Sequence, residues 1–191
     1  MEPMCNFSVR RLMLRVVVFA LVASGLISTA ATYATPLPVG SAILASPGAG
    51  PVGGTIVADS GPVPFVSATF TGTLHSEVIA NDPANPFGPG NFTFTYLLTT
   101  TSGPDSIDRL TVPGYGIPGL LTDASYQSPV SPGAVIPTSF DRGSVATLGN
   151  VVGVSFTPVP LGSGDIPPGG SGALLHSNQY QPTQLVYCFG H

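Results

Sequence analysis

The sequence predicts an all-β protein, an antiparallel β-sandwich of about nine strands. Three observations carry that prediction. Gly and Pro supply 24 and 21 of the 191 residues, too many for a helical bundle, because both destabilise a helix interior. Short runs rich in Thr, Val, Phe and Tyr alternate apolar with polar residues, the period-two pattern of strands with one buried face. Clusters of Gly, Pro, Asn and Asp separate these runs at the spacing of a sandwich.

In chain order, residues 1–34 read as a signal peptide. Arg10, Arg11 and Arg15 precede an apolar run from Val16 to Ile27, and small residues follow up to Ala34. The run is shorter than the roughly 20 residues of a membrane-spanning helix, so cleavage is expected after Ala34. Residues 35–52 are Pro, Gly, Ala and Ser with little pattern, and are expected to form a lead-in to a sandwich domain over 53–191.

The first strand is expected over Gly54–Ala58. The clearest run follows, Phe65–Ala80. Val66, Ala68, Phe70, Leu74 and Val78 occupy its even positions, and Ser67, Thr69, Thr71, Thr73, His75 and Glu77 its odd ones, with Gly72 marking a bulge or bend. Residues 81–90 are too rich in Pro, Gly and Asn for a regular element. Asn91–Thr101 then sets Phe92, Phe94, Tyr96 and Leu98 on one face and Thr93, Thr95 and Thr99 on the other. Phe70, Leu74, Phe92, Phe94 and Leu98 are the expected core, and the Thr/Ser faces are expected to point outward. Further strands are expected over Ile107–Val112, Leu121–Tyr126, Thr138–Ala146, Val151–Phe156, Ala173–Ser177 and Gln184–Phe189, with a loop over 158–172.

Composition excludes several functions. Only 7% of residues are charged, and the five basic residues are all Arg, which leaves no basic face for nucleic acid. Signal removal leaves Arg109 and Arg142 against eight acidic residues, a balance that an anionic membrane repels. Cys188 is then the single thiol, so packing without an intrachain disulfide must hold the domain together.

The motifs offer little chemistry. Gly48–Gly53 and Gly114–Gly119 both match G-x-G-x-x-G, but a dinucleotide site needs a strand before and a helix after, and neither match has that context. His75, His176 and His191 come with no nucleophile elbow and no zinc spacing. The loops carrying Asn81, Asp82 and Asn85, and Asp105 and Asp108, could offer oxygen ligands to calcium; turn chemistry explains the same residues and is the preferred reading. Tyr115, Tyr126 and Tyr180 fall near strand ends, where a sugar platform could form, although Trp is absent. No catalytic, cofactor-binding or metal-ligating residue is assigned.

The order of pieces resembles exported bacterial proteins sorted by exosortases, the PEP-CTERM group. The residues that carry the likeness are Ser106–Gly114, Leu121–Tyr126, Val154–Phe156 and Ser171–Asn178, within a Thr-rich β region over 55–178 behind a signal peptide. The resemblance implies export and display at a surface. The group's Pro-Glu-Pro, apolar helix and basic cluster have no counterpart in Val186–His191, so the residues present predict release. The expected function is that of an exported, non-enzymatic cell-surface or extracellular-matrix protein, with a secreted module binding carbohydrate or another envelope polymer as the alternative.

Overall fold

The computed structural model describes residues 34–51, 53–157 and 164–180. The expected signal peptide, the expected strand over Gln184–Phe189, and His191 lie outside them. Among the described residues there are eleven strands: β1 (Thr35–Pro36), β2 (Ala42–Leu44), β3 (Pro47–Gly48), β4 (Thr55–Val66), β5 (Thr71–Ala80), β6 (Phe92–Ser102), β7 (Arg109–Pro113), β8 (Leu121–Gln127), β9 (Ser139–Arg142), β10 (Val151–Ser155) and β11 (Leu175–Tyr180). They form a seven-stranded sheet in the order β1-β8-β11-β6-β5-β4, with β3 also on β8, and a four-stranded sheet in the order β2-β9-β10-β7. All pairings between strands are antiparallel except β3 with β8. No helix among the described residues is long and apolar enough to cross a membrane.

Residues 35–48 are part of the sandwich rather than a lead-in. β1 and β3 pair with β8 of the large sheet, and β2 between them pairs with β9 of the small one. Leu37, between β1 and β2, is 1% exposed and belongs to the core. Pro and Gly conceal this role, because such short strands leave no periodicity to read.

The run Phe65–Ala80 is a hairpin rather than one strand. Val66 ends β4, the Ser67 N–H donates to the Phe70 carbonyl at 2.8 Å across the turn, and β5 starts at Thr71. The register pairs Phe65 with Gly72 and Val66 with Thr71. Cross-strand partners share a face, so Phe65 joins Leu74 toward the core while Val66 is turned away and is 82% exposed. The alternation therefore reads straight through a chain reversal that exchanges its faces. Gly72 does mark a bulge, in the β5–β6 register.

Between the sheets, Leu98, Ala124 and Leu175 of the large sheet meet Phe140, Val152 and Val154 of the small one, with Ile107, Tyr115, Phe156 and Ile166 completing the cluster. Residues 164–172 are pinned at three points: Ile166 bridges Ile107, Ser171 bridges Thr99 and Gly172 bridges Val135. That seals one end of the core with the Ile166 side chain.

The far face of the large sheet is also covered. Gly48 lies beside β8, and Thr55 opens β4 at the opposite edge. Only six residues, 49–54, join these two edges across five strand spacings of about 4.8 Å. This strap runs close against the sheet. A Cβ on Gly48 would overlap the Ser125 hydroxyl and stand 2.8 Å from the Ser125 Cβ, and one on Gly54 would overlap Ile79. Gly48, the first glycine of the first G-x-G-x-x-G match, thus permits close backbone approach to the sheet, as does Gly54 just beyond the match, whereas a Cβ on Gly53 would meet nothing within 4 Å.

Under the strap and the 81–91 loop, Thr93, Thr95, Asp123, Ser125, His176 and Asn178 are buried. The Thr faces expected to point outward are interior here, and hydrogen bonds make that possible. The Thr93 hydroxyl donates to the Asp82 carboxylate at 2.8 Å and lies 2.6 Å from Asn178 Oδ1, while Thr95 donates to Glu77.

Candidate functional site

The small sheet ends at β7, whose residues Arg109, Leu110 and Thr111 face Phe65, Phe70, Leu74 and Leu98 across a space of about 300 Å³. Further along β5 and β6 the core-side face is open. The segments Ala58–Ser60 and Ser76–Val78, with Phe94 and Tyr96, line a groove of about 420 Å³. Cross-strand pairing creates it: Ala58 is opposite Val78, and Val78 is opposite Phe94. Its surface is mainly apolar, and Ser60 and Ser76 supply hydroxyls. The Ser76 N–H donates to Ser60 Oγ at 2.9 Å, which ties the groove's wall to the edge strand. At its inner end the Tyr96 hydroxyl meets the hydroxyl of buried Tyr115 at 3.2 Å. A mostly apolar cleft with a few placed polar groups is the usual form of a ligand site.

On the opposite face of the same hairpin, β5 presents His75 and Glu77, and β4 presents Asp59 directly across from Glu77. His75 Nε2 is 2.7 Å from Asp59 Oδ1 and 3.9 Å from Glu77 Oε1. The Gly61 N–H also donates to Asp59 Oδ1 at 2.7 Å. That bond and the His75 contact hold the Asp59 carboxyl below its ordinary range. Sequence reading placed His75 correctly on a polar strand face but could not join it to Asp59, which lies across a register shift in β4.

The other residues singled out in the sequence have structural work. The Asp82 carboxylate accepts from the Ala84 N–H at 2.9 Å, and the Asn85 side chain accepts from the Phe87 N–H at 2.9 Å. Both are turns closed two residues on, the chemistry that favours Asx residues in loops. The Asp108 carbonyl accepts from the Phe156 N–H, and Asp105 is exposed. Tyr115 is core, Tyr126 packs against the core, and Tyr180 is exposed beside Phe87. Tyr126 pairs with Leu175 and Tyr180 with Leu121, at opposite ends of the β8–β11 ladder, so the three tyrosines form no common platform. His176 is buried with Nε2 unpartnered, and burial pushes its pKa down to about 4. No helix follows the Gly114–Gly119 loop; β8 does.

Sequence reading missed Arg142. It is buried, and it donates from Nε to the Gly149 carbonyl and from its two terminal nitrogens to the Leu120 and Tyr115 carbonyls, at 3.0–3.2 Å. It thereby fixes the loop that carries Tyr115. The available signal was its rarity, as one of two basic residues outside the N-terminal segment.

No protein-family model, curated protein or solved structure matches the chain.

Proposed function

We propose that this protein is an exported, non-enzymatic component of a bacterial cell surface or extracellular matrix, and that it binds a neutral, extended polymer of the polysaccharide class along the β4–β5–β6 groove. The observation that carries the reading is the groove itself: Val78, Phe94 and Tyr96 form an apolar floor, and Ser60 and Ser76 add hydroxyls at one side. Sugar rings pair an apolar face with a hydroxyl rim, and an aromatic surface beside hydrogen-bonding groups suits both. The low charge of the chain favours a neutral polymer over an ionic one. The signal-like N-terminus and the resemblance to exosortase-sorted proteins support export.

A second reading, a matrix component that assembles side by side, is favoured by strand β4. It is an edge strand of twelve residues with Ile56, Val57, Val63 and Val66 all exposed, and such edges invite pairing. A polysaccharide array separates the two. Retention of one neutral polymer class by the wild-type protein, lost in Phe94→Ala at a temperature where that variant remains folded, supports the groove. Failure to retain any polymer, with concentration-dependent association abolished by Val63→Lys, favours lateral assembly instead.

A further inference from the structure

We infer that Asp59, His75 and Glu77 form a binding site for a divalent first-row transition ion of the zinc type. Strand alternation projects the three side chains from the opposite face of the hairpin, although Asp59 and Glu77 also border the groove; the inference does not rest on polymer binding.

The geometry comes from the sheet. Glu77 and His75 are two residues apart on β5 and so project from one face, and Asp59 is the cross-strand partner of Glu77. Three ligands therefore arise from two hydrogen-bonded strands, without a flexible loop to order on binding. His75 Nε2, Asp59 Oδ1 and a Glu77 carboxylate oxygen all lie within 4.8 Å of one another. Metal bonds of about 2.0–2.2 Å at tetrahedral angles place ligand atoms about 3.4 Å apart. The separations of 2.7 Å and 3.9 Å from His75 Nε2 bracket that value, so small side-chain rotations complete the arrangement.

The surroundings favour a cation. Buried Thr95 donates its hydroxyl to Glu77 Oε2 at 3.2 Å, and the other oxygen, Oε1, is the one near His75. Fixing a ligand carboxylate through its second oxygen is the usual outer support of metal sites. No Lys or Arg comes from the neighbouring strands, since the basic residues outside the N-terminal segment are Arg109 and Arg142; Arg109 is engaged with Asp141 at 2.8 Å and Arg142 with backbone carbonyls. One imidazole with two carboxylates suits zinc and its neighbours better than calcium or magnesium, which take oxygen alone. Three protein ligands leave at least one coordination position open to water or another molecule.

Titration of the full-length protein with Co²⁺ or Zn²⁺ tests this, read by the visible absorption of Co²⁺ and by the heat of Zn²⁺ binding. The expected result is saturable one-to-one binding, weakened at least about tenfold in His75→Ala and in Glu77→Gln, with Mg²⁺ and Ca²⁺ failing to compete at equal concentration. Thr95→Val, which leaves all three ligands in place, should weaken binding by a smaller factor. If His75→Ala does not fold, Asp59→Asn on the exposed edge strand asks the same question. Absence of saturable binding up to about 1 mM ion, or binding of equal strength in wild type and His75→Ala, overturns the assignment and leaves an ordinary His–carboxylate hydrogen bond.

Discussion

Asn178 holds Asp123 with both of its nitrogens: its backbone N–H donates to Oδ1 at 2.8 Å and its side-chain amide donates to Oδ2 at 3.2 Å. These bonds favour the carboxylate, but burial between β8 and β11 outweighs them and raises the Asp123 pKa to about 6. The folded value exceeds the ordinary 3.8, so Asp123 contributes stability below pH 3.8, and this is lost as pH rises through 6. The difference corresponds to about 3 kcal/mol.

His176, two residues along β11 from Asn178, titrates in the opposite sense. Burial lowers its pKa from 6.5 to about 4, so its contribution is present above pH 6.5 and lost as pH falls through 4, again by about 3 kcal/mol. The two windows overlap and their slopes oppose. The wild type should therefore show little pH dependence from this pair between pH 4 and 6.5. Asp123→Asn should lose stability on acidification over that range, and His176→Gln should gain it. Urea midpoints at four pH values measure both slopes; identical slopes in wild type and Asp123→Asn would refute the assignment.

Gly48→Ala should destabilise the fold by about 1–3 kcal/mol, the usual cost of overpacking, because its Cβ collides with Ser125. Ser125→Gly in the same chain should recover part of that loss. The Ser125 hydroxyl has no hydrogen-bond partner, so removing it leaves no buried group unpaired. Thermal melts of the two single variants and the double variant give a coupling energy, and strict additivity would show that the strap does not press on Ser125.

Arg142→Met should cost at least about 3 kcal/mol, since three carbonyls lose a charged donor in a buried setting. Arg142→Lys should restore only part of the loss, because one ammonium cannot reproduce a planar fork aimed at three acceptors. Chemical denaturation of both variants tests the ordering; full rescue by Lys would contradict the geometry.

Phe156→Ala should cost about 3–5 kcal/mol, because the ring is fully buried. Phe94→Ala should cost less than about 2 kcal/mol, because Phe94 borders the open groove and is only half buried. This reverses the expectation that Phe94 is core. Equal costs for the two substitutions would mean that the groove is closed in solution.

Local chemistry by itself determined much of this protein. Too little helical propensity and a repeated period of two required sheet, and Asp82 and Asn85 closed turns with their own side chains whatever lay around them. β6 and β10 could be placed to within a residue: the first half of β6 alternates Phe and Tyr with Thr, and β10 is a short Val-rich run that follows the turn residues Gly149 and Asn150. Tertiary structure decided what the far face of the sheet would be. Alternation states which side chains share a face, but Thr93, Thr95 and His176 became interior because the strap after Gly48 and the 81–91 loop lie against that face. It also decided that Val66 and Phe65 would part company at a reversal inside one alternating run, and that Asp59 would meet His75 sixteen residues away. Periodicity is a property of neighbours along the chain, whereas burial and the pairing of distant charged groups depend on which strands and straps lie on either side.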